Sequence, residues 1–485
     1  MLFQLFKSPL QLKLKQACRF YTVARPQTIY ALSSAPGKAG VAVIRISGRN
    51  ALEAVEKMTL IKSGLMDARK AYFRRIRHPH TGQVLDRGLV LWFPGPHSFT
   101  GEDSVEFQIH GGNAVVKSVL NALRAIPDFR MAEQGEFSRR AFDNDKLDLT
   151  ELEGLADLLN AETEIQHRLA LQQAEGGLRK RYDEWRHKII ECMARTEAVI
   201  DFGEDEHIEE GVMEEVIKDV KQLYTSISTH LNDSHVGEMI RSGIQVAIVG
   251  PPNAGKSTLL NRLAKREAAI VSSIPGTTRD VVEVKLDLGG YPVIVCDTAG
   301  LRESNDIIEI EGIKRAKARI LLSDLKICLL PLNDIATIDP IVRDIIDKDT
   351  YLILNKEDTV SSYSKEDIDK LISMIKKEIG IKHIWTMSCT TGKGVDLFLN
   401  QLINIIKDKF DSSIANPALI TQARHREHLE DCIQYLESFL NMSNEEIVLS
   451  AEELRQAANA LGRITGKIDV ENVLDALFGQ FCIGK

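Results

Sequence analysis

The chain has no run of about 18 apolar residues, the length a bilayer-spanning helix needs. It has no acidic side chain before Glu53. Its seven cysteines (18, 192, 296, 328, 389, 432 and 482) contain no C-x-x-C pair, so neither a zinc site nor a disulfide framework is indicated, and a reducing compartment fits. Positive charge is not in excess either: 61 basic against 69 acidic residues give −8, too acidic for a protein that coats nucleic acid by charge alone. Any RNA contact is expected to be local or shared with a partner. With 44% hydrophobic and 27% charged residues the composition is that of an ordinary globular protein, which excludes a disordered chain. At about 150 residues per domain, 485 residues predict roughly three domains.

The missing acid at the start is matched by an excess of cations. Residues 1–25 hold Lys7, Lys13, Lys15, Arg19 and Arg25, interleaved with Leu2, Phe3, Leu5, Phe6, Leu10, Leu12 and Leu14. This acid-free amphipathic character is that of a mitochondrial transit peptide, with a cleavage region near Arg19-Phe20-Tyr21-Thr22, and a matrix location is expected. A basic arm or a surface helix is the alternative.

Three kinds of pattern follow. Residues 26–143 mix short β-rich runs (40–46, 88–93, 104–110) with helical stretches, which predicts an α+β domain. From 144 the text turns helical, with Leu149, Leu152, Leu155, Leu158 and Leu159 at spacings of three and four. Between 239 and 411, β-branched runs at 244–249, 281–288, 291–296, 326–330, 351–354 and 383–388 alternate with helical segments, the rhythm of a wound α/β sheet. Gly289-Gly290 supplies a hairpin turn. Residues 412–485 are helical again. Neither helical stretch reads as a complete domain, so 144–238 and 412–485 are expected to form one discontinuous helical domain with the α/β unit inserted, in preference to four separate domains.

The chemistry is most legible in that unit. Gly250-Pro251-Pro252-Asn253-Ala254-Gly255-Lys256-Ser257 satisfies G-x-x-x-x-G-K-[ST], following a predicted strand and preceding a helical run from Thr258. In such a loop backbone amides turn around phosphate oxygens, the helix N-terminus adds its positive end, Lys256 reaches the β and γ phosphates, and the Ser257 hydroxyl ligates Mg²⁺. Strand 293–296 ends in Asp297-Thr298-Ala299-Gly300, where a carboxylate holds the Mg²⁺ water shell and Gly300 frees an amide for the γ-phosphate. Strand 351–354 runs into Asn355-Lys356-Glu357-Asp358. Asp358 can accept from N1–H and the 2-amino group of guanine, a donor pair that adenine lacks. Ser388-Cys389-Thr390 would complete the base pocket with a backbone amide. Four such motifs in this order, each at a strand end, predict a GTP-binding domain.

Hydrolysis is read against the Ras pattern, in which a glutamine after D-x-x-G orients the attacking water and an external arginine neutralises the transition state. That position is Leu301 here, so another group must hold the water. The loop Ser272-Ser273-Ile274-Pro275-Gly276-Thr277-Thr278-Arg279-Asp280 is the candidate for closing over the γ-phosphate, with Thr278 sensing Mg²⁺.

The chain after residue 25 resembles the MnmE family, also called TrmE, of tRNA-modification GTPases, and specifically its mitochondrial members. The resemblance rests on the N-A-G-K-S loop, the G-T-T-R-D switch and D-T-A-G-L-R-E. Further motifs are Phe99-Thr100-Gly101-Glu102-Asp103, Gly135-Glu136-Phe137-Ser138, Asn144-Asp145-Lys146-Leu147-Asp148-Leu149 and the terminal Phe481-Cys482-Ile483-Gly484-Lys485.

The resemblance implies a homodimer formed through an N-terminal tetrahydrofolate-binding domain, with a Ras-like G domain whose two copies meet when GTP and K⁺ are bound. Asn253, Ser272, Ile274 and Thr277 are implied K⁺ ligands, the ion standing where an arginine finger would, and Glu309 is the implied acid that positions water. Arg45, Glu106, Lys146 and Lys485 match positions that contact 5-formyltetrahydrofolate. The implied partner is an MnmG-type protein using FAD and NADH. The joint product would be a 5-carboxymethylaminomethyl or taurinomethyl group on the wobble uridine of tRNA, its one-carbon unit drawn from 5,10-methylenetetrahydrofolate. The tRNA contact would lie mainly on the partner. Two departures appear: segment 325–330 runs into Pro331 where relatives usually carry aspartate, and Cys389 replaces the base-pocket alanine. The competing reading is a switch GTPase of the mitochondrial ribosome without modification chemistry, which would have no need of the folate-like domain and the C-I-G-K end.

Overall fold

The computed structural model describes residues 27–202, 211–265, 283–297, 320, 322–333, 343, 346–359, 365–414, 419–442, 446–468, 471–479, 481 and 484. The chain forms two compact units, one running to Leu152 and resuming at Val470, the other from Glu153 to Asp469.

In the first unit, strands β1 (Thr28–Leu32), β2 (Ala39–Ser47), β3 (Tyr72–Arg77), β4 (Val84–Phe93), β5 (Ser104–Gly111) and β6 (Phe129–Met131) form one sheet in the order β3-β4-β5-β2-β1-β6. The pairings are antiparallel except β1 with β6. Alternation sets the faces: Ala42, Ile44 and Ile46 of β2 are buried beside Val105, Phe107 and Ile109 of β5. Helices α1 (Ala51–Thr59) and α2 (Asn113–Arg124) cover that face with Val55, Met58, Val119 and Leu123. The other face carries a smaller cluster of Ile29, Ala31, Ala132 and Phe137, the last from α3 (Glu136–Asp143).

The second unit begins within α4 (Leu149–Asn160) and continues through α5 (Glu164–Ala174), α6 (Gly177–Phe202), α7 (Val212–Leu231) and α8 (Val236–Ser242) into the α/β region. Its strands β7 (Ile244–Val249), β8 (Glu283–Leu288), β9 (Tyr291–Asp297), β10 (Leu325–Pro331), β11 (Tyr351–Asn355) and β12 (Ile384–Thr386) are ordered β12-β11-β10-β7-β9-β8. All pairs are parallel except the β8–β9 hairpin, which turns at Gly289 and Gly290, both at positive φ. Central strand β10 is buried on both faces from Ile327 onward, hence the apolar run Ile327-Cys328-Leu329-Leu330. Helices α9 (Lys256–Ala264), α10 (Lys365–Ile379) and α11 (Val395–Ile414) flank the sheet.

After the sheet come α12 (Ala423–Asn441) and α13 (Ile447–Thr465), and their apolar faces meet those of α6 and α7 in one core. Val216, Val220, Leu223 and Ile227, at helical spacing on α7, share this core with Leu429, Cys432 and Leu436 of α12 and Leu454 and Leu461 of α13. Sequence before and after the α/β region therefore shares one bundle core. Ion pairs mark the junction. Glu153 meets Arg424 at 3.0 Å and His425 at 2.7 Å, Asp157 meets Arg241 at 2.9 Å, and Arg426 meets Asp233 at 2.6 Å. Burial alone would raise the Glu153 carboxyl, but His425 and Arg424 outweigh it and hold it below the ordinary range.

Of the span 412–485, α12 and α13 belong to the second unit, while α14 (Glu471–Phe478) packs in the first. There Arg139 of α3 stacks over the Phe478 ring at 5.9 Å, and Gln134 donates to the Gly479 carbonyl at 2.9 Å. Further on, Ser33 donates to the Gly484 carbonyl at 2.8 Å, close to the end of β1.

Candidate nucleotide site

In open parallel sheets ligands lie beyond the carboxyl ends of the strands where the strand order reverses. That place is the end of β7, flanked by β10 on one side and β9 on the other. Residues 250–255 leave β7 there and pass into α9. Gly255 caps α9 at φ 104 without any side-chain hydrogen bond to the first amides, and a Cβ at Gly255 would stand 2.2 Å from Asn355 Nδ2. Only glycine fits this close approach. Asn253 takes the left-handed conformation at φ 59. Lys256 is buried, and its ammonium donates to the carbonyls of Gly250 at 2.8 Å and Pro251 at 2.9 Å. Ser257 and Thr258 are exposed in the first helical turn. The arrangement is a cradle of amides at a helix N-terminus, suited to a polyphosphate, and the Ser257 hydroxyl there is a fitting donor for a Mg²⁺ ion.

Asn355 ends β11 and is almost fully buried. It donates from Nδ2 to the Ala254 carbonyl at 2.7 Å and accepts the Cys389 amide at Oδ1, 2.9 Å away. The phosphate loop and the base loop are thus tied through one side chain. Lys356 takes a left-handed φ of 65, and Asp358 follows exposed in a 3₁₀ turn. Ser388 is buried and its hydroxyl accepts the Thr391 amide at 3.1 Å, while Thr390 is exposed. Burial pushes the Cys389 thiol up to about 11, helped by Asp358 and opposed by Arg262, so this cysteine acts as a small apolar neighbour of Met387.

Asp297 ends β9 in register with Ile248 of β7, two residues before the phosphate loop begins at Gly250. Ser272, Ser273, Ile274, Pro275, Gly276, Thr277, Thr278, Thr298, Ala299, Gly300 and Glu309 lie outside the described residues, as do residues 1–25, Cys482 and Lys485. Among the described residues no group of three His, Cys, Asp or Glu side chains is placed to hold a metal.

In the first unit Arg45 and Glu106 are cross-strand neighbours on β2 and β5, paired at 3.1 Å with the guanidinium 5.3 Å from the Phe99 ring. Lys146 follows α3, with its chain beside Gly101. The motif acids are built into a network that sequence reasoning missed. Ser47 donates to Glu102 at 2.9 Å, and Arg140 bridges Glu102 at 2.9 Å and Glu136 at 3.1 Å. Arg130 pairs with Glu136 at 2.6 Å. Burial alone would raise the Glu136 carboxyl, but the hydrogen bond from Arg130 helps to hold it low. The available signal was the i,i+4 spacing of Glu136 and Arg140.

A phosphate cradle at the sheet's switch point, latched by Asn355 to a guanine-type base loop, defines a P-loop GTPase. Comparison with known proteins narrows the class. The family described as GTP-binding protein TrmE N-terminus matches residues 28–146, and the MnmE helical domain matches residues 149–482. The chain is 47% identical over 464 residues to the tRNA modification GTPase MnmE of Parvibaculum lavamentivorans, covering 95% of this chain and 100% of that one. It is 45% identical over 471 residues to the 5-taurinomethyluridine-[tRNA] synthase subunit GTPB3, mitochondrial, of Danio rerio, covering 94% and 93%. The Homo sapiens protein of the same name is 43% identical with the same coverage. The chain belongs to the MnmE/TrmE family.

Proposed function

We propose that this chain is a mitochondrial GTPase of tRNA wobble-uridine modification. It would act as a K⁺-dependent homodimer with an MnmG-type FAD partner to install a 5-carboxymethylaminomethyl or taurinomethyl group. The observation that carries this reading is end-to-end similarity to proteins named for tRNA modification, combined with a guanine-type site latched through Asn355. A ribosomal switch would need the G region alone, whereas here the TrmE-type N-terminal region accompanies it.

In this reading Lys256 and the amides of 250–257 hold the phosphates, Asp358 reads the guanine edge, and Ser257, Asp297 and Thr278 serve Mg²⁺. Mg²⁺ and K⁺ supply charge neutralisation when bound. Asn253, Ser272, Ile274 and Thr277 would hold K⁺, and Glu309 would orient water. Residues Arg45, Glu106, Lys146 and Lys485 would hold the folate, with the Arg45–Glu106 pair offering both a donor and an acceptor to a pterin and its carboxylate tail. Matrix import would follow from residues 1–25.

Reconstitution tests the reading: the purified chain, an MnmG-type partner, tRNA, GTP, K⁺, methylenetetrahydrofolate and glycine or taurine should yield modified wobble uridine. The Lys256→Ala variant should yield none. A product that forms equally without this chain would overturn the proposal.

A further inference from the structure

The base loop is gripped from a side that none of the nucleotide motifs supplies. Arg262 stands in the last turn of α9, six residues after Lys256. Its Nε donates to the Cys389 carbonyl at 2.9 Å and its Nη2 to the Thr390 carbonyl at 2.6 Å. Room for the guanidinium is left by Gly392: at φ 92, a Cβ there would lie 2.4 Å from Nη1. One planar fork thus spans two successive carbonyls, a match that the rigid guanidinium makes and a lysine ammonium does not.

The consequence lies in the peptide planes. A trans peptide points its N–H opposite its C=O, so fixing the Cys389 carbonyl toward α9 aims the Thr390 amide away from it. The Cys389 amide is held by Asn355. Both amides that bracket the base loop are therefore oriented, one by a motif residue and the other by Arg262. The same helix carries Lys256 and Ser257 at its start, about 9 Å along the axis from Arg262. A short rigid rod joins the phosphate end of the site to its base end.

We infer that Arg262 is a positioning residue for guanine recognition, presetting the Thr390 amide for the base's carbonyl oxygen. It touches no nucleotide atom itself. Its effect should therefore appear in discrimination at that oxygen and not in phosphate binding.

The test compares GDP with 6-thioguanosine diphosphate, which keeps N1–H and the 2-amino group but replaces the carbonyl oxygen with a weakly accepting sulfur, on the full-length chain. In wild type the analogue should bind much more weakly than GDP. Arg262→Ala should weaken GDP about ten-fold while leaving the analogue nearly unchanged, so the penalty for losing the oxygen shrinks by about the same factor. Arg262→Lys, which keeps the charge without the fork, should fall between the two and serves if the alanine variant fails to fold. Equal weakening of both ligands would make Arg262 a structural prop only, and unchanged GDP affinity would remove it from the site; either result overturns the inference. Wild-type GDP binding, measured in the same titration, tests the GTPase assignment separately.

Discussion

The side-chain amide of Asn355 donates to the main-chain carbonyl of Ala254 at 2.7 Å, joining two loops that are a hundred residues apart in sequence. The same side chain accepts the Cys389 amide. Replacing Asn355 with alanine leaves a buried carbonyl and a buried amide unpaired, at about 1–3 kcal/mol each. GTP affinity should fall at least ten-fold, by roughly 1.4 kcal/mol. Titration with a fluorescent guanine nucleotide measures it, and wild-type affinity in the variant would show that the latch is dispensable.

Folate binding is predicted to depend on Glu106 independently of the nucleotide site. Glu106→Ala should abolish 5-formyltetrahydrofolate binding and leave Arg45 with no carboxylate across the strand pair, while GTP affinity stays near wild type. Calorimetry with each ligand separates the two effects. Intact folate binding would place the pocket elsewhere.

Glu153 makes the second unit sensitive to acid. Its carboxyl ordinarily titrates at 4.5 and is lowered in the folded chain, so the unfolded state takes up the proton first. Its contribution to stability is therefore complete above 4.5 and is lost as pH falls through the lowered folded value. Glu153→Ala should cost about 3–5 kcal/mol at neutral pH, because Arg424 loses its counter-charge and the buried His425 its hydrogen-bond partner. It should also flatten the acid limb of stability against pH. Denaturant melts at pH 3.5 to 7 check both, and an unchanged acid limb would assign the sensitivity to other carboxylates.

Much of this was legible in the sequence because it rests on local periodicity. The strand expected at 244–249 is observed there, and those expected at 326–330 and 351–354 differ by a residue at their ends, since apolar runs between turn residues leave little choice. The phosphate loop was legible because Gly255 must be glycine to pass Asn355. Partners set by long-range packing were not legible. Arg262 reads as an ordinary solvated cation on a helix until the fold brings residue 389 beside it. Nor does any local pattern show that α14 would pack beside α3, because an eight-residue helix carries no signal of its long-range partner.

Hydrolysis should be switched on by K⁺ and by pairing of G domains, with Glu309 acting on chemistry and not on affinity. The motive is Leu301, which leaves the usual water-orienting place without a glutamine. An arginine finger is worth roughly 10³–10⁵ in rate where it operates, so another cation must supply that stabilisation. Replacing K⁺ by Na⁺ should cut single-turnover hydrolysis sharply. Glu309→Ala should lower it at least ten-fold, about 1.4 kcal/mol, at unchanged GTP affinity. Equal rates in the two salts would refute the cation argument, and a variant at wild-type speed would return Glu309 to the solvated surface.

The central claim, a GTPase that serves wobble-uridine modification in mitochondria, is tested most directly by mass-spectrometric nucleoside analysis of mitochondrial tRNA from cells lacking this chain. The account predicts loss of the 5-carboxymethylaminomethyl or taurinomethyl group from wobble uridine, restored by the wild-type chain and not by Lys256→Ala. Fully modified wobble uridine in the depleted cells would contradict it.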